Sequence, residues 1–449
     1  MNYVFYLSSD WETFHRPDMI YAFARQIRPH GGKLLCVDRM MCPFTGPLRG
    51  VGTGKGNPSR GLAKWRKSMT RLLTGGNTLE PLADNLYLGR AFVALDDRFA
   101  LRSEVLSRLN RRILGRQVKG MIRRLGMEQG PIVTWFHFPM WVGYHGMLGE
   151  TLSVYECYDQ HVAIAGVDGQ RAQLVERCEK ELFSKVDLVF CTSHRLKEIK
   201  AAFHDRIHHV PNGADFHFYS RVQDDSVIPD PEFAHLPRPR IGYLGTINEH
   251  TDLDLIEFVA RSRPEWSILL AGKLDQRAAV QSDTFRALSD LPNVRILGWL
   301  DRDRIPAICK CFDVCMIPYR QDSTFNRYVN PNKLHEYTAM GKPIVALEGV
   351  DVASHRDLIR VAGNREEFLA ALAEAYETDS QDSIARRLEI AERNSWDART
   401  REMIARVDSV LESDSAGTHD GSVKVTDRYE PGFSGGPTQD ATQDERLSK

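Results

Sequence analysis

Long hydrophobic runs are scarce in this sequence of 449 residues. The segment closest in character to a membrane span is 131–148, but two prolines and two histidines interrupt it, and polar groups are costly in lipid. A strand followed by a loop is therefore predicted there. The amino terminus also lacks the basic start, long apolar run and cleavage site of a secretory signal. We predict a cytoplasmic protein without a transmembrane helix.

Paired cysteines and an excess of one charge are lacking as well. The eight cysteines are widely spaced, and several lie in apolar runs, which is typical of free core thiols in a reducing cytoplasm. Cys309, Cys311 and Cys315 lie close together, but no second Cys or His pair stands nearby at ligand spacing. We therefore predict core positions and no metal site. A net charge of −1 gives no reason to expect nucleic acid as a partner.

Familiar phosphate-binding loops are also absent. Segment 52–56 resembles a phosphate-binding loop. However, Arg49 stands where a Walker A loop needs glycine, and Gly56 replaces the Ser or Thr that would hold magnesium. No Gly-x-Gly-x-x-Gly follows a strand. These spacings exclude both the nucleoside-triphosphate loop and the dinucleotide fingerprint.

Strand-like and helix-like runs alternate along most of the chain, which indicates α/β layering with parallel sheets. The length suits two domains. Four prolines in the polar stretch 227–239 mark a linker, because proline cannot continue either kind of ladder. Two doubly wound halves joined in this way place a ligand cleft between them, at the carboxyl ends of the strands.

The predicted boundaries follow from this pattern. The first domain spans 1–226, the linker 227–239 and the second domain 240–379, while helices in 380–413 pack back and 414–449 is a disordered tail. The predicted strands lie near 3–8, 33–37, 85–88, 132–136, 153–158, 188–192, 208–211, 241–245, 266–271, 294–297, 314–318 and 343–347.

An insertion at about 43–124 is strongly basic. Residues 60–124 hold 15 Lys or Arg against 5 Asp or Glu, interleaved with apolar residues such as Leu62, Trp65 and Met69. Two interpretations stay open. One is a solvated helix face, which is the more common case. The other is an anchor on an anionic membrane surface, to which each basic residue adds about 1 kcal/mol. The second would place the protein on the inner face of the cell membrane.

The most informative segment is Asn330–Pro343. Asn330 is predicted to cap a helix, Pro331 to occupy its first position, and Gly341 to end it. A short helix that starts directly after a strand and a loop presents N–H groups and a positive end to the cleft, which suits a diphosphate.

Lys333 and Glu336 share one face of that helix. The lysine can add charge toward phosphate, and the carboxylate can accept both ribose hydroxyls. The alternative is a plain capped surface helix with an ion pair between these two residues.

Segment 330–343 resembles the donor-binding helix of the retaining, family-four GT-B glycosyltransferases, near the branch of the bacterial teichuronic-acid enzymes. Other segments resemble that family in the same order along the chain: Asp10–Pro17, Tyr155–Asp159, Pro211–Asp215, Ile241–Ile247, Leu291–Trp299 and Phe312–Tyr319. The resemblance implies a GT-B fold, in which two Rossmann-like doubly wound domains face a cleft. It implies retaining transfer of a sugar from a nucleoside-diphosphate donor to a glycan or lipid-linked hydroxyl acceptor, in surface polysaccharide or glycolipid synthesis. We expect no metal, because helix N–H groups and lysines can stabilise the diphosphate and no DxD-type carboxylate pair is evident in a donor loop.

The resemblance also supplies candidate site residues. On the donor side these are Gly245, Thr246, Lys273, Gly298, Trp299, Asn330, Pro331, Asn332, Lys333 and Glu336. Trp11 and Arg16 lie in an acceptor-side loop, for which a capped helix start is an equal alternative. His137 is a catalytic candidate expected to point into the cleft, the alternative being a buried histidine. Asp159 is the second catalytic candidate, with turn capping as its rival.

Two departures from the family pattern affect the donor side. Tyr328 stands where the family has its first glutamate, and Thr246–Thr251 lacks the usual basic residues. The diphosphate charge must then be met by Lys273, Lys333, Arg320 or Arg327, together with backbone N–H groups. Two other functions stay open: a sugar-nucleotide epimerase, which would turn over donor without acceptor, and a non-catalytic scaffold, which would release no nucleotide.

Overall fold

The computed structural model describes residues 1–39, 78–164, 169–275, 282–349 and 351–417. Residues Met1–Val407 form one compact unit, and the described residues from 408 to 417 belong to a second. Two sheets with helices on their faces make up the first unit, so the predicted α/β class is confirmed.

The first sheet has eight strands in the order β3-β4-β2-β1-β5-β6-β7-β8, parallel except for the β3–β4 pair. The strands are β1 (Asn2–Tyr6), β2 (Leu34–Arg39), β3 (Thr78–Ala83), β4 (Leu86–Ala91), β5 (Ile132–Phe136), β6 (Leu152–Cys157), β7 (Leu188–Cys191) and β8 (Ile207–His209). Strand β3 was not predicted, because Pro81 argues against a strand interior. It is an edge strand, where proline is tolerated.

The second sheet has six parallel strands in the order β11-β10-β9-β12-β13-β14. They are β9 (Arg240–Leu244), β10 (Ser267–Ala271), β11 (Val294–Gly298), β12 (Val314–Ile317), β13 (Ile344–Leu347) and β14 (Ile359–Ala362). The chain order reverses on either side of β9, as it does at β1 in the first sheet. Such reversals open a crevice at the carboxyl ends of the strands. The four-residue strand β14 was missed because its apolar pattern is so short.

The helices are α1 (Pro17–Ile27), α2 (Asp97–Ala100), α3 (Glu104–Arg124), α4 (His161–Ile164), α5 (Gly169–Phe183), α6 (His194–Lys200), α7 (Phe216–Tyr219), α8 (Pro231–Ala234), α9 (Leu253–Ser262), α10 (Asp283–Ser289), α11 (Ile305–Lys310), α12 (Asn332–Ala339), α13 (Arg365–Glu377), α14 (Gln381–Arg393) and α15 (Trp396–Gly417). Helix α1 shows why they form: proline sits at its start, and its apolar side chains are buried on one face.

The last helices contact both halves. In α14, Arg387 donates to the carbonyl of Gly341 at 3.0 Å. At the start of α15, the Trp396 N–H donates to the carbonyl of Ala214 at 3.0 Å, and Asp397 pairs with Arg25 of α1 at 2.8 Å. The chain therefore returns to the first half after completing the second.

Several predictions concern residues at or beyond the ends of the described ranges. Helix α15 reaches Gly417, so the first four residues of the predicted disordered tail, 414–417, are helical because they continue this helix. The rest of that tail and residues 40–77 of the basic insertion lie outside the described residues, as does Cys42. The other seven cysteines are buried, and none forms a disulfide within the described residues. No helix of the described chain is long and apolar enough to cross a bilayer.

Candidate active site

Helix α12 follows β12 and its loop, and its amino end differs by one residue from the prediction. Pro331 is the capping residue, and no side chain caps this described helix end. Asn330 is not the cap, because it is buried and its side chain is used elsewhere. Its Oδ1 accepts from the backbone N–H of Asn212 at 3.0 Å and lies 2.7 Å from Nε2 of His335. Of the first-turn N–H groups, that of Leu334 donates to the carbonyl of Pro331 at 3.1 Å, which leaves those of Asn332 and Lys333 for an anion.

Lys333 crosses the end of β9 over Gly245. A Cβ at Gly245, where φ is +146°, would lie 2.4 Å from the Lys333 ammonium. Gly272 is pressed against Gly245 in turn, since its Cβ would lie 2.1 Å from the Gly245 carbonyl oxygen. The ammonium is 3.3 Å from the Tyr319 hydroxyl and 5.1 Å from the ring of Tyr243. Gly245 therefore leaves room for the Lys333 ammonium at the strand ends, and Gly272 leaves room for the backbone of Gly245.

Glu336 lies one turn further along α12 and keeps part of its surface exposed. Burial raises the pKa of its carboxyl, and the nearby charge of Lys333 opposes this effect. The plain surface helix considered as an alternative is ruled out, because Leu334, Tyr337 and most other residues of α12 are buried.

The remaining donor-side candidates lie at the ends of neighbouring strands. Thr246 and Lys273 are exposed just after β9 and β10. Gly298 ends β11 with φ +69°, and its carbonyl accepts from the Gly272 N–H at 2.8 Å. Trp299 follows with 75% of its surface exposed. The structure thus gathers these residues with Lys333 at one edge of the second sheet.

Arg16 does not lie where an acceptor could reach it. Only 2% of its surface is exposed. Its guanidinium pairs with Glu156 at 2.6 Å and lies between the rings of Tyr158 and Trp396, 5.2 and 4.9 Å from their centres. The acceptor-side prediction for Arg16 is wrong, because the last helix closes over this side chain.

His137 is also enclosed, so the expectation that it points into the cleft is wrong. Its side chain is fully buried, with Nδ1 3.4 Å from Oε2 of Glu156. The same carboxylate oxygen accepts from the Trp135 indole at 2.8 Å. Burial lowers the pKa of His137 to about 4, which keeps the ring neutral at pH 7. His137 therefore belongs to the packed layer beneath the cleft.

Two first-half candidates keep solvent access. Trp11 is partly exposed, and its ring lies 6.1 Å from that of Tyr21. Asp159 is partly exposed at the end of β6, and burial raises the pKa of its carboxyl to about 7. His15, which sequence reasoning missed, is exposed with its ring 5.1 Å from that of Tyr158. Among the described residues no group of three or more His, Cys, Asp or Glu could hold a metal ion.

Arg302 bridges the two halves and was also missed. Its Nη2 lies 3.0 Å from Asp18 at the start of α1 and 3.1 Å from Asp215, directly before α7. Its guanidinium lies 4.1 Å from the centre of the Phe218 ring. Nothing in the local sequence signals this contact, because it depends on how the two sheets face each other.

Comparison with solved structures decides the fold. Sucrose-phosphate synthase from Thermosynechococcus elongatus superposes with a TM-score of 0.61 at 12% identity, covering 92% of this chain and 100% of that one. Anabaena HepE, solved with UDP and glucose, gives 0.58 at 13% identity over 90% of this chain and 99% of its own. The fold is GT-B. The predicted pair of Rossmann-like domains is therefore confirmed at the level of fold class.

Sequence comparison agrees with this GT-B fold. Residues 238–378 match the family model described as Glycosyl transferases group 1. TuaH of Bacillus subtilis, whose name assigns it to teichuronic acid biosynthesis as a glycosyltransferase, is 28% identical over 223 residues, or 47% of this chain. The match spans 54% of TuaH, about half the length of that relative. The resemblance seen in the sequence motifs is confirmed.

The structure shows what surrounds the two departures from the family pattern in this GT-B chain. The carbonyl of Tyr328, at the place of the missing glutamate, accepts from the Ser193 hydroxyl at 2.8 Å, and Arg195 lies 5.6 Å from the Tyr328 ring. Tyr328 therefore contacts residues of the first half. Of the four predicted cations, Arg320 is paired with Asp322 at 2.8 Å, whereas Lys333 lies against Gly245.

Proposed function

We propose that this protein transfers a sugar from a nucleoside-diphosphate sugar to a hydroxyl group of a glycan or lipid-linked acceptor, in bacterial surface polysaccharide or glycolipid synthesis. One observation carries the proposal. Lys333 crosses Gly245 at the uncapped amino end of α12, and Glu336 stands one turn away with access to the cleft. The group 1 family match over 238–378 covers all three residues.

The chemistry follows from where charge develops. As the sugar–phosphate bond breaks, negative charge grows on the leaving diphosphate. Lys333 and the first-turn N–H groups of α12 would stabilise that charge, which is commonly the largest contribution to catalysis. Glu336 would accept hydrogen bonds from the ribose hydroxyls and so fix the nucleoside. In this scheme fixed protein charges do the work of a metal ion, and we propose metal-independent transfer.

We propose retention of configuration, with the acceptor attacking the face that the diphosphate leaves. Asp159 is the first-half group suited to take the acceptor proton. It is partly exposed, and its pKa of about 7 matches the working pH of a general base. His137 has no part in this step, because it is fully buried.

Substitution of Glu336 by alanine tests the donor site. Loss of a hydrogen bond to a charged group costs ~1.5–3 kcal/mol, so donor affinity should fall roughly 10- to 150-fold by calorimetry. Glu389→Ala, in the exposed face of α14, is the matched control and should leave affinity unchanged. Equal affinities for both variants would disprove the assignment. Product formed without acceptor would favour an epimerase instead.

We also propose that α3 docks on an anionic membrane. Val105 and Leu109 are 74% and 44% exposed, and Arg112, Arg116 and Lys119 are exposed along the same side of the helix. Within the described chain these three cations form no ion pair. Since α3 runs from the end of β4 back to the start of β5, its apolar end lies at the cleft edge of the sheet. Docking there would bring the cleft to a lipid-linked acceptor.

Vesicle sedimentation tests this docking. The wild type should bind phosphatidylcholine vesicles only when they contain phosphatidylglycerol, and binding should weaken with salt. Replacing Arg112, Arg116 and Lys119 by Gln, which keeps helix propensity, should lower binding about 100-fold, at roughly 1 kcal/mol per charge. The matched control replaces the exposed Arg386, Arg393 and Arg401 by Gln. Equal binding by the two triple variants would reject the membrane surface in favour of a solvated helix face.

A further inference from the structure

The segment that leads into α12 is bound by the first half of the chain. The Asn212 backbone N–H, three residues after β8, donates to Oδ1 of Asn330 at 3.0 Å, and Nδ2 of Asn212 donates to the Asn330 carbonyl at 2.7 Å. Both side chains are buried. Asn330 also donates from Nδ2 to the carbonyl of Asp351 at 3.2 Å. Asn212 and Asn330, together the asparagine clasp, thus join the two halves directly before α12.

The amide of Asn330 also binds α12 itself. Because its Oδ1 accepts from the Asn212 N–H, the oxygen and nitrogen of this amide cannot be exchanged. The contact of Oδ1 with Nε2 of His335 at 2.7 Å then requires that this nitrogen carry the proton, so His335 donates. His335 is a buried residue of α12. One amide therefore binds both the first half and the body of the helix that follows it.

A second set of bonds lies beside the clasp. Ser193, two residues after β7, donates from its hydroxyl to the carbonyl of Tyr328 at 2.8 Å. The neighbouring Thr192 donates from its hydroxyl to the carbonyl of Tyr158 at 2.8 Å, directly before Asp159. Both hydroxyl residues are fully buried, and β6, β7 and β8 are neighbours in the first sheet. These bonds form a continuous path from Asp159 to the segment that begins α12.

We propose that Asn212 and Asn330 are positioning residues for sugar transfer, and that their clasp fixes the amino end of α12 relative to Asp159. This inference rests on the proposed function, in which α12 holds the donor diphosphate and Asp159 takes the acceptor proton. The amide of Asn330 contacts no substrate in this scheme, because it is buried and bonded to protein groups. A displacement of reacting groups by about 1 Å can lower a rate roughly 100-fold, so this joint affects transfer without touching the donor.

Spin-label distances between the halves test the clasp without any substrate. The labels are attached at Glu176→Cys in α5 and Arg286→Cys in α10, both exposed positions. Cys42 is replaced by Ser, and the other native cysteines are buried. On this background Asn212→Ala removes the Nδ2 bond to the Asn330 carbonyl. The distribution of distances between the two labels should therefore broaden.

Asn110→Ala is the matched control. Asn110 is buried and exchanges two hydrogen bonds with the backbone of Leu95, at 3.1 and 2.7 Å, but both residues lie in the first half. This variant should lose stability and keep the parent distance distribution. Equal distributions for Asn212→Ala and Asn110→Ala would overturn the clasp.

A split between donor binding and turnover is the second readout. UDP-glucose, GDP-mannose and ADP-glucose are compared by calorimetry, and the tightest binder becomes the donor probe, with a bacterial membrane extract as acceptor. In Asn212→Ala the transfer rate at saturating donor should fall about tenfold, while the Kd of the probe stays within about twofold. Asn110→Ala should keep the wild-type rate. An unchanged rate in Asn212→Ala, or a loss of affinity equal to the loss of rate, would overturn the positioning role.

Two further variants keep the result decisive. Should Asn212→Ala fail to fold, Thr192→Val, which keeps the side-chain volume and removes the bond to Tyr158, carries the same two expectations. Glu336→Ala separates this inference from the proposed function. If it weakens binding of the probe while Asn212→Ala leaves rate and distances unchanged, the positioning role falls and the proposed function stands. If no probe binds, or Glu336→Ala binds like the wild type, both fall.

Discussion

The two halves differ in how far the charged groups near the cleft are exposed to solvent. In the second half, Lys333 and Glu336 lie in protein surroundings but keep part of their surface open. In the first half, Arg16 and Glu156 form an ion pair that is closed off from solvent. Both sets lie at the carboxyl ends of parallel strands, so topology alone does not distinguish them.

The difference lies in what covers each set. The amino end of α12 is uncapped by any side chain of the described chain, whereas Trp396 of α15 lies over Arg16. A covered ion pair can support the joint between the halves, but it cannot contact a substrate. An open cation beside a glycine can do so. We therefore expect substitutions in the first set to change stability and those in the second to change ligand binding.

The largest effect is expected from Arg16→Met. Removing one partner of a buried ion pair leaves Glu156 unpaired, which costs about 3–5 kcal/mol of unfolding free energy. Urea denaturation measures this loss, and the folded variant should bind donor like the wild type. The control is Arg25→Met, which breaks the half-exposed pair with Asp397 and should cost about 1 kcal/mol or less. Equal losses for the two variants would contradict a structural role for Arg16.

Gly245→Ala tests whether the open cation Lys333 in the second half binds the donor. Alanine at φ +146° would collide with Lys333, so unfolding free energy should fall by about 1–3 kcal/mol and donor affinity by roughly tenfold or more. The control is Gly31→Ala, where φ is +69° and no atom lies within 4 Å of the added Cβ. It should show backbone strain without loss of donor affinity. If both variants bind donor normally, Lys333 does not meet the diphosphate.

The enclosed His137 makes stability depend on pH. Unfolded, its pKa is about 6.5; folded, burial lowers it to about 4, so the unfolded state binds more protons between these values. The stabilising contribution is complete above pH 6.5 and is lost as the pH falls toward 4. At pH 5 the loss is about 2 kcal/mol.

His137→Gln should therefore lose about 2 kcal/mol less than the wild type between pH 7 and pH 5 in urea denaturation. His30→Gln, at an exposed position, is the control and should follow the wild-type dependence. A His137→Gln profile parallel to the wild type would show that this histidine is protonated in the folded protein at pH 5, and hence less enclosed than the structure indicates.

The sequence predicted those features that short, local patterns define. The alternation of strands and helices indicated two sheets, and Asn330–Pro343 indicated a helix directly after a strand and loop. The same segment misplaced the cap by one residue, because Asn330 is occupied by a contact with Asn212, 118 positions away. The edge strand β3 was not predicted, because it contains Pro81 and proline argues against a strand interior.

Side-chain direction in the first half could not be predicted in the same way. Arg16 and His137 both follow strands at the cleft edge, as the sequence indicated. Their burial depends on Glu156 from another strand and, for Arg16, on Trp396 from the last helix. Arg302 carries no local signal either, since its partners Asp18 and Asp215 come from distant segments.

The smallest effect is expected from Trp299→Ala, at the most open of the donor-side candidates. With 75% of its surface exposed, this side chain contributes little to stability, and its removal should change unfolding free energy by within about 0.5 kcal/mol. If its ring packs against the donor nucleoside, affinity should fall by about 0.5–1.5 kcal/mol, a few-fold to tenfold. Trp299→Phe should retain most of the affinity, and Tyr376→Ala, at an exposed aromatic on α13, should retain all of it. Unchanged donor affinity in Trp299→Ala would restrict the open donor site to the ends of β9 and β10 and to α12.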